Sequence, residues 1–378
     1  MTNIDEKRKI FEILKKEEKD IKNIGKVLGK GGFGQVREIT MENNKKYAGK
    51  LIEKRICKNN KELEEVEYGE ILRGRNIINF NKIIKKKIDE KEYNLIIMEK
   101  ALLRDFEKLN TFFYHENLLK IIYNPFDEVL GDNLLRFYSK QIINALELLD
   151  RNYFIHNDIK PNNILITDNL IVKLTDFGLL RKVKDEESEI SGGTRGYLSP
   201  EFYINKNEKV DSQTARKQDY FALGSTLYYL KYGKKMLNYE DKIDKIMIAD
   251  EIVKLLEKKI DDIKSSKMFD QEFINFLCSL IQFKSEDRPN FEEIYRNIWL
   301  NNNSEEINNI YSINQGENEK IIMELQKSDF LIKKENELDL NLENENSKKC
   351  EESNKIKKGK IKKNENNKLC RFRFKKKN

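Results

Sequence analysis

This chain is short of cysteine, of proline and of long apolar runs. Cys57, Cys278, Cys350 and Cys370 are its only cysteines in 378 residues, widely separated and without a CxxC spacing. That distribution argues against a zinc site and against a disulfide framework. The longest uncharged run, YFALGSTLYYL at 220–230, falls far short of the roughly 20 residues a membrane helix needs, so no transmembrane segment is expected. The opening MTNIDEKRKI carries charge where a signal peptide needs an apolar stretch. An intracellular protein, cytoplasmic or nuclear, is therefore the expectation. Apolar residues make up 38% and charged residues 36%, so part of the length is expected to lie outside any packed core.

The charge is unevenly placed. The net +7 hides a terminal stretch, 348–378, in which 12 Lys and 2 Arg face 3 Glu, which leaves −4 for residues 1–347. Composition divides the chain into a charged extension at 1–20, a patterned region at 21–300 and a low-complexity basic tail at 301–378 with no proline. Within the patterned region, KVLGKGGFGQVREIT, the turn-like ENNKK, YAGKLI and later YNLIIMEKA read as strands. KELEEVEYGEILRG reads as a helix. From residue 133 onward NLLRFYSKQIINALELLDRN, DYFALGSTLYYLKYG, QEFINFLCSLIQF and NFEEIYRNIWL carry apolar residues at helical spacing. The expected fold class is α+β: a small strand-rich lobe at about 21–98, a larger helical lobe at about 102–300, and a tail that is disordered in composition.

Four short stretches carry chemistry. GKGGFGQV at 29–36 fits G-x-G-x-x-G. Such glycines either open a dinucleotide-binding turn or form a hairpin whose backbone amides approach phosphates. The dinucleotide reading needs a helix after the glycines, and here a β-branched stretch and a polar turn follow. Lys50 lies on the strand returning from that hairpin, where a lysine reaches phosphate oxygens; an exposed strand lysine is the plain alternative. In HNDIKPNN, Asp158 suits proton acceptance or hydroxyl orientation, Lys160 a phosphate and Asn163 a metal, on a loop that Pro161 keeps from being helical. Asp176 of DFG ends an apolar strand and is a hard ligand for Mg²⁺.

In this order and at these spacings, the motifs over about 22–300 resemble the eukaryotic protein kinases. The resemblance implies ATP bound between two lobes with Mg²⁺. It implies Gly29, Gly31 and Gly34 over the phosphates and Lys50 on the α- and β-phosphates. Asp158 would be the catalytic base, with Lys160 beside it and Asn163 and Asp176 holding the metal. Leu28, Val36, Ala48 and Leu165 would enclose the adenine, Met98 would be the gatekeeper, and Glu99 to Ala101 the hinge. GGTRGYLSPE at 192–201 resembles the end of an activation segment, Asp219 and Arg288 match supporting residues, and Glu201 would pair with Arg288. Lys160 and Thr194 together match the serine/threonine type, so the implied partners are protein substrates with Ser or Thr acceptors.

Two departures stand out. Asn157 occupies the place of the arginine that usually pairs with a phosphorylated activation-segment residue, so that charge-assisted switch is expected to be absent. The helix glutamate for Lys50 is either Glu65, by counting back from RGRNII, or Glu67, which has Ile71 four positions on. An active kinase is the leading reading because Lys50, Asp158 and Asp176 are all present; a pseudokinase scaffold or binding module is the rival. The tail reads as a nucleic-acid, acidic-membrane or import-machinery contact, or as a solvated Asn/Lys run.

Overall fold

A run of apolar residues alternating with polar ones builds the first unit of the structure, a five-stranded antiparallel sheet. The computed structural model describes residues 3–31, 34–54, 71–101, 103–105, 132–167, 171–183, 188–189, 192–204, 209–237, 249–265 and 270–301. The chain divides into a unit of Met1–Tyr311 and a second of Ser312–Asn378; the described residues all belong to the first. Most of the helix expected over 61–74, and the tail beyond Asn301, lie outside the described residues.

Helix α1 (Asn3–Glu17) precedes β1 (Ile21–Gly31), β2 (Gly34–Met41), β3 (Lys46–Lys54), β4 (Phe80–Ile88) and β5 (Lys91–Glu99). The sheet order is β1-β2-β3-β5-β4. Register assigns the two faces: Ala48 lies opposite Met98 and Lys50 opposite Ile96, while Gly49 lies opposite Ile97 and Leu51 opposite Leu95. Because side chains alternate along a strand, Val36, Ala48 and Lys50 share one face, and Ile39, Leu51, Leu95 and Ile97 the other. The second face is covered by α1, whose Ile10, Phe11 and Leu14 are buried in one cluster with those residues. The charged N-terminal extension is thus a docked helix. Arg37 stacks on the Phe11 ring at 5.6 Å, and Lys91 reaches Glu6 at 2.8 Å. Gly49 is required beneath it: a Cβ there would stand 2.5 Å from Ile39 Cγ1.

Among the described residues a short strand, β6 (Leu103–Asp105), comes next, and then the helix α2 (Asp132–Arg151). Then come β7 (Phe154–Ile155), β8 (Ile164–Ile166), β9 (Val172–Leu174), β10 (Arg181–Lys182) and β11 (Ser188–Glu189). Beyond them lie α3 (Pro200–Ile204), β12 (Lys209–Val210), α4 (Ser212–Tyr232), α5 (Ala249–Lys264), α6 (Gln271–Leu280), α7 (Phe291–Tyr295) and α8 (Ile298–Asn301). The sequence sets their ends. Asp211 caps α4 by accepting from Thr214 N, and Gly233, at φ 69°, ends it in the left-handed conformation that glycine adopts without strain. Asn290 and Glu293 form a capping box on α7. Trp299 is wholly buried, against Phe273 at 5.0 Å and Phe276 at 5.4 Å, and Arg136 of α2 donates to its carbonyl at 2.5 Å. Among the described residues no helix is long and apolar enough to cross a membrane.

Candidate active site

The loop between β7 and β8 is held from below by one carboxylate. Asp219 of α4 accepts from the backbone N–H of His156 at 2.6 Å and of Asn157 at 3.0 Å. Burial pushes its carboxyl up to about 7, against the two N–H groups that favour its charged form. His156 is fully buried. Its Nδ1 accepts from Asp158 N at 3.3 Å, so Nε2 carries the hydrogen and donates to Thr175 O at 3.1 Å. Burial lowers its pKa, in keeping with a neutral ring in that accepting role.

Asp158 stands at the centre of the loop and is buried. Its Oδ1 accepts from the Thr194 hydroxyl at 2.6 Å. Its Oδ2 accepts from Lys160 Nζ at 2.7 Å and Asn163 Nδ2 at 2.9 Å. Lys160 also donates to Thr194 Oγ1 at 2.6 Å, which closes a triangle between the loop and the segment 34 residues later. Pro161 begins a turn of 3-10 helix, Pro161–Asn163, that points Asn163 back at Asp158. Since Nδ2 also donates to Asp158 O at 2.8 Å, the Asn163 amide is fixed with Oδ1 as the atom left over for a cation.

Asp176 adopts the left-handed conformation at φ 67°, which turns its carboxylate toward the sheet. Lys50 Nζ meets Oδ1 at 2.8 Å, joining strand β3 to the end of β9. Burial opposes the charge on Asp176, but Lys50 outweighs it and holds the carboxyl below its ordinary value. Phe177 is buried between Phe80 at 6.1 Å and His156 at 5.6 Å. Asn157, also left-handed at φ 63°, donates Nδ2 to Leu179 O at 2.9 Å. Its Oδ1 is buried without a partner.

Above these groups the glycine hairpin pairs Gly29 with Val36 and Gly31 with Gly34. A Cβ on Gly34 would stand 2.4 Å from Leu51 O, whereas one on Gly29 would meet nothing within 4 Å. Close backbone approach therefore demands glycine at 34, while Gly29 faces open space. Leu28 is half-buried on β1, and Leu165 is half-buried on β8, opposite Lys173. Glu99 ends β5; its Oε1 accepts from Asn79 N at 2.7 Å and from Lys173 Nζ at 2.9 Å. Ala101 follows, half-buried. Glu65 and Glu67 lie outside the described residues. Away from the cleft, Glu201 takes both arms of Arg288 at 2.6 and 2.7 Å, and Lys217 Nζ donates to the Arg288 carbonyl.

The structure thus brings Lys50 to Asp176, and Lys160, Asn163 and Thr194 to Asp158. Among the described residues no group of three or more His, Cys, Asp or Glu surrounds a point. A hard cation here would have one carboxylate and one amide oxygen, the donor set of Mg²⁺ that completes its shell with water and phosphate. Two charged residues that the sequence did not single out, Glu38 on β2 and Lys100 just after β5, meet at 2.6 Å. No local pattern signals them, because they lie 62 positions apart.

A five-stranded sheet carrying a glycine hairpin, set against a helical lobe that presents Asp158, Asn163 and Asp176, is the architecture of a protein kinase. The family model for the protein kinase domain matches residues 23–300, and the chain belongs to that family. It is 27% identical to serine/threonine-protein kinase PLK2 of Rattus norvegicus over 72% of this chain and 36% of that protein. It is 32% identical to the human putative 3-phosphoinositide-dependent protein kinase 2 over 58% of this chain and 51% of that one. With serine/threonine-protein kinase MRCK beta of Rattus norvegicus, 24% identity extends over 58% of this chain and 12% of the relative. The match thus covers about half or less of each of these relatives.

Proposed function

We propose that the protein transfers the γ-phosphate of ATP to serine and threonine hydroxyls of protein substrates. The observation that carries this reading is the convergence on Asp158 of Lys160, Asn163 and Thr194, all within 2.9 Å of its carboxylate. A carboxylate so held keeps one fixed orientation, which is what a group that receives a hydroxyl proton needs. The substrate oxygen attacks the γ-phosphorus, the bond to the β–γ bridging oxygen breaks, and the hydroxyl proton passes to Asp158 as ADP leaves. Lys160, beside that carboxylate, sets positive charge where negative charge is spread over the oxygens of the transferring phosphoryl group. Lys50, now paired with Asp176, offers its ammonium to the α- and β-phosphates. Mg²⁺, when bound, supplies charge neutralisation at the phosphates; Asp176 and Asn163 Oδ1 are the atoms that would hold it.

The serine/threonine assignment rests on the Asp158–Lys160–Thr194 triangle and on the names of the relatives. The test is a phosphotransfer assay with Mg·ATP on a generic basic protein, beside Asp158→Asn. Wild type should label serine and threonine, and the variant should lose activity by about 10²–10⁴-fold, the usual worth of a positioned base. A folded wild type without transfer would replace this reading by that of a pseudokinase scaffold or binding module.

A further inference from the structure

We propose that the Glu38–Lys100 ion pair is a strap that fixes the glycine hairpin above the adenine slot and thereby sets nucleotide affinity, leaving the chemical step alone. The proposal rests on the ATP-binding reading above. Glu38 lies on β2 two residues beyond Val36, hence on the same face, with Ala48 as its cross-strand partner. Ala48 in turn lies opposite Met98, and Lys100 is two residues beyond that, in the segment expected to receive adenine. The pair therefore closes a bracket across the roof of the slot, from β2 over β3 to the hinge.

Its two ends differ in firmness. The hinge end is anchored: Glu99 is held by Lys173 of β9 at 2.9 Å and by Asn79 N at 2.7 Å. The other end is the hairpin, rich in glycine and so compliant. Lys100 Nζ meets Glu38 Oε2 at 2.6 Å with side-chain exposures of 16% and 13%, so this pair is shielded from the solvent that makes exposed pairs weak. Burial disfavours the Glu38 charge, yet Lys100 and Lys46 hold its carboxyl below the ordinary value. Strand β1 passes close to the same side chain, for a Cβ added at Gly25 would stand 3.3 Å from Glu38 Cβ. Loss of the pair removes this side-chain tie and leaves the hairpin joined to β5 through the β2–β3–β5 ladder alone, and neither residue touches the groups around Asp158.

The test uses the full chain with Glu38→Gln, Lys100→Met, the double variant and the exchanged pair Glu38→Lys with Lys100→Glu. Lys46→Met is the control, because Lys46 sits farther off, at 3.4 Å, and exposed. The Kd for Mg·ADP by titration calorimetry and the KM for ATP are expected to rise about three- to tenfold in each single variant, with kcat within about twofold; a tenfold change corresponds to about 1.4 kcal/mol. The double variant should be no weaker than the worse single one, and the exchanged pair should recover most of the affinity. Single variants that bind Mg·ADP as wild type does, or losses that multiply in the double variant, overturn the strap alone. A folded wild type that binds no Mg·ADP overturns the ATP reading and the strap together.

Discussion

Asn157 ties the loop between β7 and β8 to the stretch after Asp176 through one neutral amide, Nδ2 to Leu179 O at 2.9 Å. Its φ of 63° suits asparagine better than most residues, because the short side chain tolerates the left-handed region. An amide has no charge with which to recruit a phosphate. Activity is therefore expected to depend little on phosphorylation of Ser188 or Ser191: phosphatase treatment, or Ser188→Ala with Ser191→Ala, should change the peptide rate by less than about tenfold. A larger fall would mean that another basic residue receives a phosphate. Asp219 makes a second statement at this scale. Its folded carboxyl, at about 7 against an ordinary 3.8, holds its proton more tightly than the unfolded chain does. Its contribution to stability is then complete below about pH 3.8 and is lost as pH rises through about 7. Melting temperatures of wild type and Asp219→Asn, measured from pH 4 to 7.5, should show wild type losing ground as pH rises. A difference that stays flat over that window would contradict the assignment.

At the scale of elements, α1 is the part with most to say. Its Ile10, Phe11 and Leu14 are spaced to lie on one side of the helix, and the sheet face they cover would otherwise expose Ile39, Leu51, Leu95 and Ile97. Phe11→Ala removes a wholly buried ring and should cost about 3–5 kcal/mol, with a fall in melting temperature on the order of 10 °C. A shift of only a degree or two would show that the helix rests on the sheet without stabilising it. The sequence made β1, β2, β3 and β5 and the helices α2, α4, α6 and α7 plain, since glycine, turn residues and apolar periodicity mark them locally. It marked α1 poorly: a narrow apolar stripe among lysines and glutamates looks the same whether water or a sheet lies beside it. Strand β4, FNKIIKKKI, was hidden for the opposite reason, because its lysines mask an alternation that only pairing with β5 makes meaningful. Helix α5 was legible in principle from Leu256, Ile260 and Ile263, all buried. The site residues were readable as types in a motif, but the pairing of Glu38 with Lys100 depends on the folded path between them.

For the whole molecule, the question is where the cooperative unit ends. Among the described residues Trp299 and Leu300 are the last with buried side chains, and Asn301 donates to Tyr295 O at 2.7 Å. A chain cut after Asn303 is accordingly expected to melt within a few degrees of full length and to keep its specific activity. Loss of most activity on truncation would place a working part of the molecule beyond that point. The same cut removes the +11 stretch at 348–378, so any salt-sensitive association with polyanions should vanish with it while phosphotransfer persists.

Trp299 is the only tryptophan in the chain, and it is packed between Phe273, Phe276 and the Arg136 guanidinium at 5.2 Å. Its emission is therefore a single-point optical reporter of the helical lobe, silent about the sheet. Backbone circular dichroism senses both. Unfolding curves recorded by the two signals would coincide if the lobes open as one body and would separate if the sheet with α1 loosens first, so the protein carries a built-in probe of whether its two halves share one transition.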